Sequence, residues 1–312
     1  MVKVIVGMMG SSVGGGSSSM ASTSQCLNDH GVKELDTARV YAGGKSEELL
    51  GELQAHKQFA ISTKAPAFPP KSLAEEKIIA NCNASLEALG QKKVDISKTT
   101  NPARLSTRPR HETPLEDQCR AIGRLYSEGK FAKFGVSNIS AAEVQKIHDI
   151  CTQQQYPLPS IYQGAYNPIQ RSAEVSLFPL LRKLNIKFYA FSPLAGGVLA
   201  KKIDDVLNPA PGTRFDAMKV FGDMYLKKPT FDALAVLKSR CDEEGIAVME
   251  GTMRWLLHHS PLGEEDGVIL GASNTGQINA SLTACGKGPL DEGLVKVFED
   301  LWVAIRNESS HV

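Results

Sequence analysis

Short runs of β-branched and aromatic residues alternate with amphipathic helical patterns along the whole chain. The runs predict strands at Val2–Gly7, Val32–Asp36, Phe59–Lys64, Lys93–Ile96, Lys133–Ser137, Ser160–Gln163, Lys187–Phe191 and Gly267–Gly271. The patterns between them predict helices at Ser46–Gln54, Ala74–Leu89, Leu115–Gly129, Ala141–Gln154, Ala173–Leu184 and Phe231–Gly245. Strand–helix alternation implies parallel pairing, and eight strands are the number that closes a (β/α)8 TIM barrel. The rival fold, a doubly wound open sheet, would need a glycine-rich nucleotide fingerprint after the first strand.

Length and composition suit one large domain. The chain has 312 residues, 42% of them hydrophobic, and we expect a single barrel domain over residues 1–312. Its formal net charge is +1, with acids and bases interspersed, which disfavours nucleic acid and anionic membranes as partners. The six cysteines lack CxxC spacing, so we expect reduced thiols and no metal site. Because no apolar run approaches membrane-spanning length, we expect a soluble, cytoplasmic protein.

Two segments break the regular spacing and are predicted to be loops, and a glycine- and serine-rich stretch near the start is predicted to be a third. Residues 97–113 are polar and interrupted by proline, which favours a mobile loop that carries Lys98 and several arginines near the catalytic end of the barrel. Residues 203–229 resemble a long loop that could fold over a ligand. The stretch Gly10–Ser19 lacks GxGxxG order and is predicted to be a flexible first βα connection.

Three polar residues follow apolar runs near the predicted ends of the second and third strands. They are Asp36 and Tyr41, in Glu34–Tyr41, and Lys64, in Ile61–Lys64. Carbonyl reduction needs a hydride for the carbon and a proton for the oxygen, hence a bound nicotinamide and a positioned acid. A phenol has a reference pKa of about 10, and a nearby ammonium stabilises the phenolate, so Tyr41 is the candidate acid and Lys64 its activator. Asp36 would keep Lys64 charged and oriented. Taken singly, each residue also fits a packing or ion-pair role.

Further motifs follow in a fixed order along the chain. They are Ser46–Gly51, Gly135-Val136-Ser137-Asn138, Tyr162–Asn167, Phe188–Gly197 and Ile269–Ser273. Together with the three residues above, this series resembles the aldo-keto reductase superfamily, most of all its aflatoxin-aldehyde-reductase branch, nearly from end to end. The resemblance implies a (β/α)8 barrel that uses NADPH (NADP) to reduce aldehydes or activated ketones, with Asp36, Tyr41 and Lys64 at the catalytic centre.

The resemblance also implies a set of cofactor-binding positions. Ser137, Asn138 and Gln163 would bond the nicotinamide carboxamide, and Phe191 would stack beneath the ring. The pyrophosphate-binding turn would be formed by Ser192, Leu194 and Gly196. The positions around the adenosine phosphate would be Gly271, Ser273 and Gln277. Ala280-Ser281 departs from the Gln-Asn pair typical of this branch, which leaves the choice between NADPH and NADH open.

The chain departs from the family pattern after the fourth strand. The family carries a histidine there, in a Leu-His-x-Pro-Asp run, that donates to the substrate oxygen. Counting from Val94-Asp95-Ile96 puts Thr100 in its place. His111 follows the inserted stretch Arg104–Arg110 and aligns outside the site, although an inward fold of the loop would return it. Whether Thr100 replaces the histidine or His111 substitutes for it stays open.

The expected function is NADPH-dependent reduction of a small-molecule aldehyde or ketone, slowed by loss of the family histidine. Losing one oriented donor to a developing oxyanion typically costs about 10²–10³-fold in turnover. Two alternatives remain: a cofactor-binding pseudoenzyme or regulatory subunit, and a biosynthetic enzyme of secondary metabolism with an altered reaction, such as double-bond reduction or non-redox cyclisation. A homodimer is expected by analogy with relatives alone.

Overall fold

The computed structural model describes residues 2–9, 16–65, 71–100, 113–200 and 228–307. Parallel strands close into an eight-stranded barrel in chain order, which confirms the predicted (β/α)8 fold. The strands are β1 (Lys3–Gly7), β2 (Glu34–Asp36), β3 (Ala60–Lys64), β4 (Val94–Thr100), β5 (Phe131–Ser137), β6 (Pro159–Ala165), β7 (Lys187–Phe191) and β8 (Gly267–Gly271). The barrel closes where β8 pairs with β1.

Helices connect the strands and cover the barrel. They are α1 (Gly16–Asp29), α2 (Lys45–Glu52), α3 (Glu75–Ala88), α4 (Leu115–Ser127), α5 (Ala141–Gln153), α6 (Ala173–Lys183), α7 (Lys228–Glu243), α8 (Val248–His258), α9 (Thr275–Cys285) and α10 (Glu292–Ile305). Side-chain caps fix several helix starts: Ser140 on α5, Asn274 on α9 and Asp291 on α10 each accept a backbone N–H of the first turn. No helix among these described elements is long and apolar enough to cross a membrane.

Successive strand residues point alternately into the barrel and outward to the helices. The apolar cluster inside the barrel consists of Ile5, Ile96, Ile161, Tyr189 and Ile269. A much larger apolar core lies between the strands and the helices. Because the inner cluster fills the barrel below the strand ends, chemistry is confined to the carboxyl end, as is usual for this fold.

Two local predictions were wrong. The fourth strand was predicted to end at Ile96, with a loop from residue 97, whereas β4 continues to Thr100. Backbone pairing explains the difference: Lys98 pairs with both Lys64 and Gly135, and Thr100 pairs with Ser137. The polar composition of this segment obscured its strand register. The predicted flexible connection was also too long, because α1 begins at Gly16.

Parts of the predicted loops lie outside the described residues. These parts are residues 101–112, which include His111, residues 201–227 and residues 10–15. The helix predicted to begin at Phe231 is α7, and it begins three residues earlier, at Lys228.

Candidate active site

Charged and polar side chains from four strands, β2, β3, β4 and β6, meet inside the carboxyl end of the barrel. Asp36 ends β2 and Lys64 ends β3, as their positions after apolar runs predict. Lys98 on β4 and Gln163 on β6 join them. All four side chains are buried. A cluster of this composition at the catalytic end of a barrel makes this region the candidate active site.

Asp36 is the hub of the cluster because both of its carboxylate oxygens are bonded. Lys64 Nζ donates to Oδ2 over 2.6 Å, and Lys98 Nζ donates to Oδ1 over 2.7 Å. Ser62 Oγ also donates to Oδ1, and Gln163 Nε2 donates to Oδ2, each over 3.2 Å. Burial alone would raise the pKa of Asp36, but the two ammonium groups outweigh it and hold that pKa well below its usual range. Asp36 is therefore a permanent anion at neutral pH.

Lys98 is the site residue that the sequence interpretation missed. Its side chain is 0% exposed, and its Nζ lies 5.3 Å from the centre of the Tyr189 ring. Burial lowers the pKa of Lys98, although the attraction of Asp36 opposes the shift. The available signal was the two-residue strand period: Ile96 faces the barrel interior, so a continuing strand turns Lys98 to the same side.

Tyr41 opens a tight turn that follows β2 and leads into α2. The turn is a short 3₁₀ segment, Tyr41–Gly44, in which Ala42 and Gly43 have positive φ angles. Lys64 Nζ lies 5.3 Å from the centre of the half-buried Tyr41 ring. The structure thus brings Asp36, Lys64 and Tyr41 together, as the sequence predicts.

Residues of the Ser46–Gly51 motif hold this turn in place through hydrogen bonds. Ser46 Oγ lies 3.1 Å from Thr37 Oγ1, just after β2. The fully buried Glu47 accepts a hydrogen bond from Thr63 on β3, over 2.5 Å, and another from Arg39, two residues before Tyr41, over 3.3 Å. Buried, charge-assisted bonds of this kind are strong. They fix the segment that carries Tyr41 relative to the strand that carries Lys64.

The predicted carboxamide-binding residues lie at the ends of β5 and β6. Ser137 ends β5, and Asn138, with a φ of 54°, turns the chain so that its N–H donates to the Gln163 carbonyl over 3.3 Å. Ser140, and not Asn138, caps α5, in a capping box with Glu143. Ser137 and Asn138 are therefore not needed to start the helix, which removes the alternative interpretation of this pair as a helix cap.

Gln163 contributes an observation that bears directly on a nicotinamide. Its Oε1 is buried and has no hydrogen-bond partner among the described residues, while its Nε2 is held by Asp36. A buried amide oxygen without a donor is costly, and a carboxamide N–H is a fitting donor. The residues present therefore fit the nicotinamide group that the sequence predicts.

The turns after β7 and β8 hold the remaining predicted cofactor positions. Four of the six residues that follow Phe191 have positive φ angles, namely Ser192, Ala195, Gly196 and Gly197. Gly271, which ends β8, is exposed, and a Cβ built there would meet nothing within 4 Å. Gln277 already has hydrogen-bond partners within the protein. Its Oε1 accepts the Ser273 N–H over 3.0 Å, and its backbone N–H donates to Asn274 Oδ1. Glycine-rich turns and a helix start are typical phosphate-binding elements.

The comparison with known proteins agrees with this geometry. The model of the Aldo/keto reductase family matches residues 3–302. The chain belongs to the aldo-keto reductase family. It is an oxidoreductase, and the predicted resemblance is confirmed.

Similar aldo-keto reductases come from fungi and mammals. The oxidoreductase sirO of Leptosphaeria maculans is 38% identical over 290 residues, which cover 91% of this chain and 85% of sirO. An aldo-keto reductase of Pseudocercospora fijiensis (strain CIRAD86) is 36% identical over 291 residues, 90% of this chain and 96% of that protein. Aflatoxin B1 aldehyde reductase member 2 of Rattus norvegicus is 33% identical over 307 residues, 93% and 82% of the two chains.

Proposed function

We propose that this protein reduces a small-molecule aldehyde or ketone to the alcohol with NADPH, and that Tyr41 donates the proton. One observation carries the proposal: the Tyr41 ring lies 5.3 Å from the ammonium of Lys64, which is itself bonded to the buried Asp36. A phenol beside a fixed ammonium is a stronger acid than a phenol in water. This arrangement supplies a proton donor at the carboxyl end of the barrel.

Ser137, Asn138 and Gln163 would hold the nicotinamide carboxamide, with Phe191 beneath the ring. The pyrophosphate and adenosine ends would be held by Ser192, Leu194, Gly196, Gly271, Ser273 and Gln277. The unpartnered oxygen of Gln163 supports the first group of assignments, and the positive φ angles after β7 support the second. When bound, NADPH supplies a hydride to the carbonyl carbon.

Tyr41 completes the reaction by giving its Oη proton to the carbonyl oxygen as negative charge develops there. Lys64 stabilises the tyrosinate that forms, and Asp36 keeps Lys64 charged and directed at the ring. Asp36 itself does not exchange a proton, because its pKa lies well below its usual range. Tyr41 regains its proton from solvent, to which its half-buried ring is open.

The names of relatives support a carbonyl substrate. Two carry the words aldehyde reductase or oxidoreductase, namely the rat protein and sirO. We propose a role in secondary metabolism because the fungal relatives include sirO and the aldo-keto reductase pigE of Monascus ruber, which is 28% identical over 299 residues.

The end of β4 favours a modified version of the family reaction. Thr100 is paired with Ser137 at the strand end where the family histidine is expected, and Lys98 lies two residues before it. The histidine's hydrogen bond to the substrate oxygen would be absent unless His111 supplies it. We therefore expect slow turnover, lower by about 10²–10³-fold than with an oriented donor.

The test is turnover of a reactive aldehyde with NADPH by the wild type and by Tyr41→Phe. We expect the variant to fold normally and to lose about 10²-fold or more in kcat, because it keeps the ring and loses the proton. Tyr126→Phe, which removes a hydroxyl from an exposed tyrosine, is the matched control and should leave kcat unchanged.

Product analysis separates the two alternatives. An alcohol that forms at equal rates in the wild type and in Tyr41→Phe would remove Tyr41 from the mechanism. Tight NADPH binding without any product would favour the pseudoenzyme. A saturated or cyclised product would show an altered reaction.

A further inference from the structure

Lys98 lies in the active site but has no part in the chemistry described above. Its Nζ bonds Asp36 Oδ1 over 2.7 Å, while Lys64 Nζ bonds the other oxygen over 2.6 Å. Its side chain has no exposed surface, so it does not reach a substrate from this position. Any effect of Lys98 on the reaction must therefore act through Asp36.

The fold holds Lys98 in this position. Gly135 on β5 is its strand partner, and a Cβ at Gly135 would lie 2.9 Å from Lys98 Cγ and 3.3 Å from the Ile161 carbonyl. The absence of a side chain at Gly135 makes room for the lysine stem. Tyr189 closes the other side, with its ring centre 5.3 Å from Nζ. The ammonium is thus aimed at Asp36 by packing.

The balance of charge around Lys98 depends on Asp36. The ionisable side chains that face it from the surrounding strands are Glu34, Asp36, Lys64 and Tyr189. Burial raises the pKa of Glu34, which accepts a hydrogen bond from the Tyr189 hydroxyl over 3.1 Å. Burial, and then Glu34, raise the pKa of Tyr189 far above its usual range. Ser62 and Gln163, which also donate to Asp36, are neutral, so Asp36 is the firmly ionised acid that both lysines share.

Sharing one carboxylate between two ammonium groups changes the field at Tyr41. A single Lys64–Asp36 pair has no net charge, so the carboxylate cancels much of the effect of Lys64 on a nearby phenol. With Lys98 on the second oxygen, the three groups carry a net positive charge. We propose that Lys98 is a positioning residue: by binding the second oxygen of Asp36 it offsets the carboxylate, so that Lys64 acts on Tyr41 as an uncompensated cation. This role rests on the proposed function of Tyr41 as the proton donor.

The effect of Lys98 depends on its own proton. Since burial lowers its pKa, Lys98 loses its proton at a lower pH than an ordinary lysine. The negative charge of the Asp36 carboxylate then offsets the positive charge of Lys64 alone, and the positive electrostatic field at Tyr41 weakens. The ionisations of Lys98 and Tyr41 are therefore coupled, and the wild-type Tyr41 titration should be broader than that of a single group.

An absorbance titration of the Tyr41 phenolate tests the proposal without any turnover. Each protein is compared with the same protein carrying Tyr41→Phe, so that the other tyrosines cancel. We expect Lys98→Met to raise the midpoint of the Tyr41 titration by about one pH unit and to make it steeper. Lys98→Gln, which keeps a hydrogen-bond donor for Asp36 but no charge, should raise the midpoint equally. Lys98→Met should fold, because Asp36 keeps Lys64 and one buried charge is removed.

The outcomes separate the possible roles of Lys98. The proposal is overturned if the midpoint of the Tyr41 titration does not move in either variant. It is also overturned if Lys98→Gln alone keeps the wild-type midpoint, because a hydrogen bond to Asp36 would then be sufficient without the charge of Lys98. If neither variant folds, the wild type decides: a Tyr41 midpoint at or above the ordinary value of about 10 contradicts the role of Lys98. Failure of the proposed function is distinct, because it shows as turnover that Tyr41→Phe does not lower, whatever the titration gives.

Discussion

The ends of β2, β3 and β4 bring charged side chains to the active site, whereas the ends of β5 to β8 bring neutral ones. In the first half, Asp36, Lys64 and Lys98 form a buried network held by ionic hydrogen bonds of 2.6 and 2.7 Å. In the second half, Ser137 and Gln163 are neutral, and the turns after β5 and β7 contain residues with positive φ angles. The charged half suits proton transfer, and the neutral half suits recognition of a cofactor by backbone and amide groups.

Different constraints act on the two halves. In the neutral half, a turn that approaches a phosphate would be restricted in both side-chain size and φ. The charged half holds a third ionic group, Lys98, bonded to Asp36. A buried network accepts another charge only where packing provides room, and here Gly135 provides it.

The largest expected effect lies in the charged half. Asp36→Asn would leave Lys64 and Lys98 buried without their shared anion, and we expect a loss of about 3–5 kcal/mol in the free energy of unfolding. Urea denaturation measures this loss. The matched control, Asp149→Asn, changes an exposed aspartate and should cost less than about 0.5 kcal/mol. Equal stability of the two variants would show that the network is not a structural unit.

The same network predicts a pH dependence with a definite sign. The pKa of Asp36 in the folded protein lies well below its usual range, whereas in the unfolded chain it is about 3.9. The contribution of Asp36 to the free energy of unfolding is fully present above its pKa in the unfolded chain. That contribution is lost as the pH falls toward the lower pKa of the folded protein. The stability difference between the wild type and Asp36→Asn should therefore be constant near neutrality and shrink below about pH 4. A difference that grows on acidification would contradict this sign.

Much of this architecture could be predicted from the sequence. The strand–helix alternation predicts all eight strands, with β7 and β8 matched to the residue. Asp36, Tyr41 and Lys64 could be found because each follows an apolar run that ends at the catalytic edge. Lys98 was missed, since Ser97–Thr100 is polar and resembles a loop, which hid the two-residue strand period; its pairing with β3 and β5 establishes the strand.

The neutral half should respond to the cofactor. NADPH at about 100 times its Kd should stabilise the folded protein by about 2.7 kcal/mol, because it binds the native state alone. A thermal or chemical denaturation series with NADPH and NADH measures the effect and ranks the two cofactors. Unchanged stability with both would refute the dinucleotide assignment of β5 to β8.

A smaller effect is expected from one residue of that half. Gln163→Met keeps the length of the side chain but removes the unpartnered amide oxygen, so the Kd for NADPH should rise by about tenfold, or 1.4 kcal/mol. Gln154→Met, on the exposed surface after α5, is the control and should leave the Kd unchanged. An unaltered Kd in Gln163→Met would indicate that Gln163 serves the Asp36 network alone.

The most direct test of the account follows the hydride from the neutral half to the substrate held at the charged half. The wild type is incubated with a reactive aldehyde and NADPH deuterated at the transferred position of the nicotinamide, and the product is analysed by mass spectrometry. The account predicts an alcohol with deuterium on the former carbonyl carbon, formed far more slowly by Tyr41→Phe. A product without deuterium at that carbon, or no product despite saturated cofactor binding, would contradict carbonyl reduction as the function of this site.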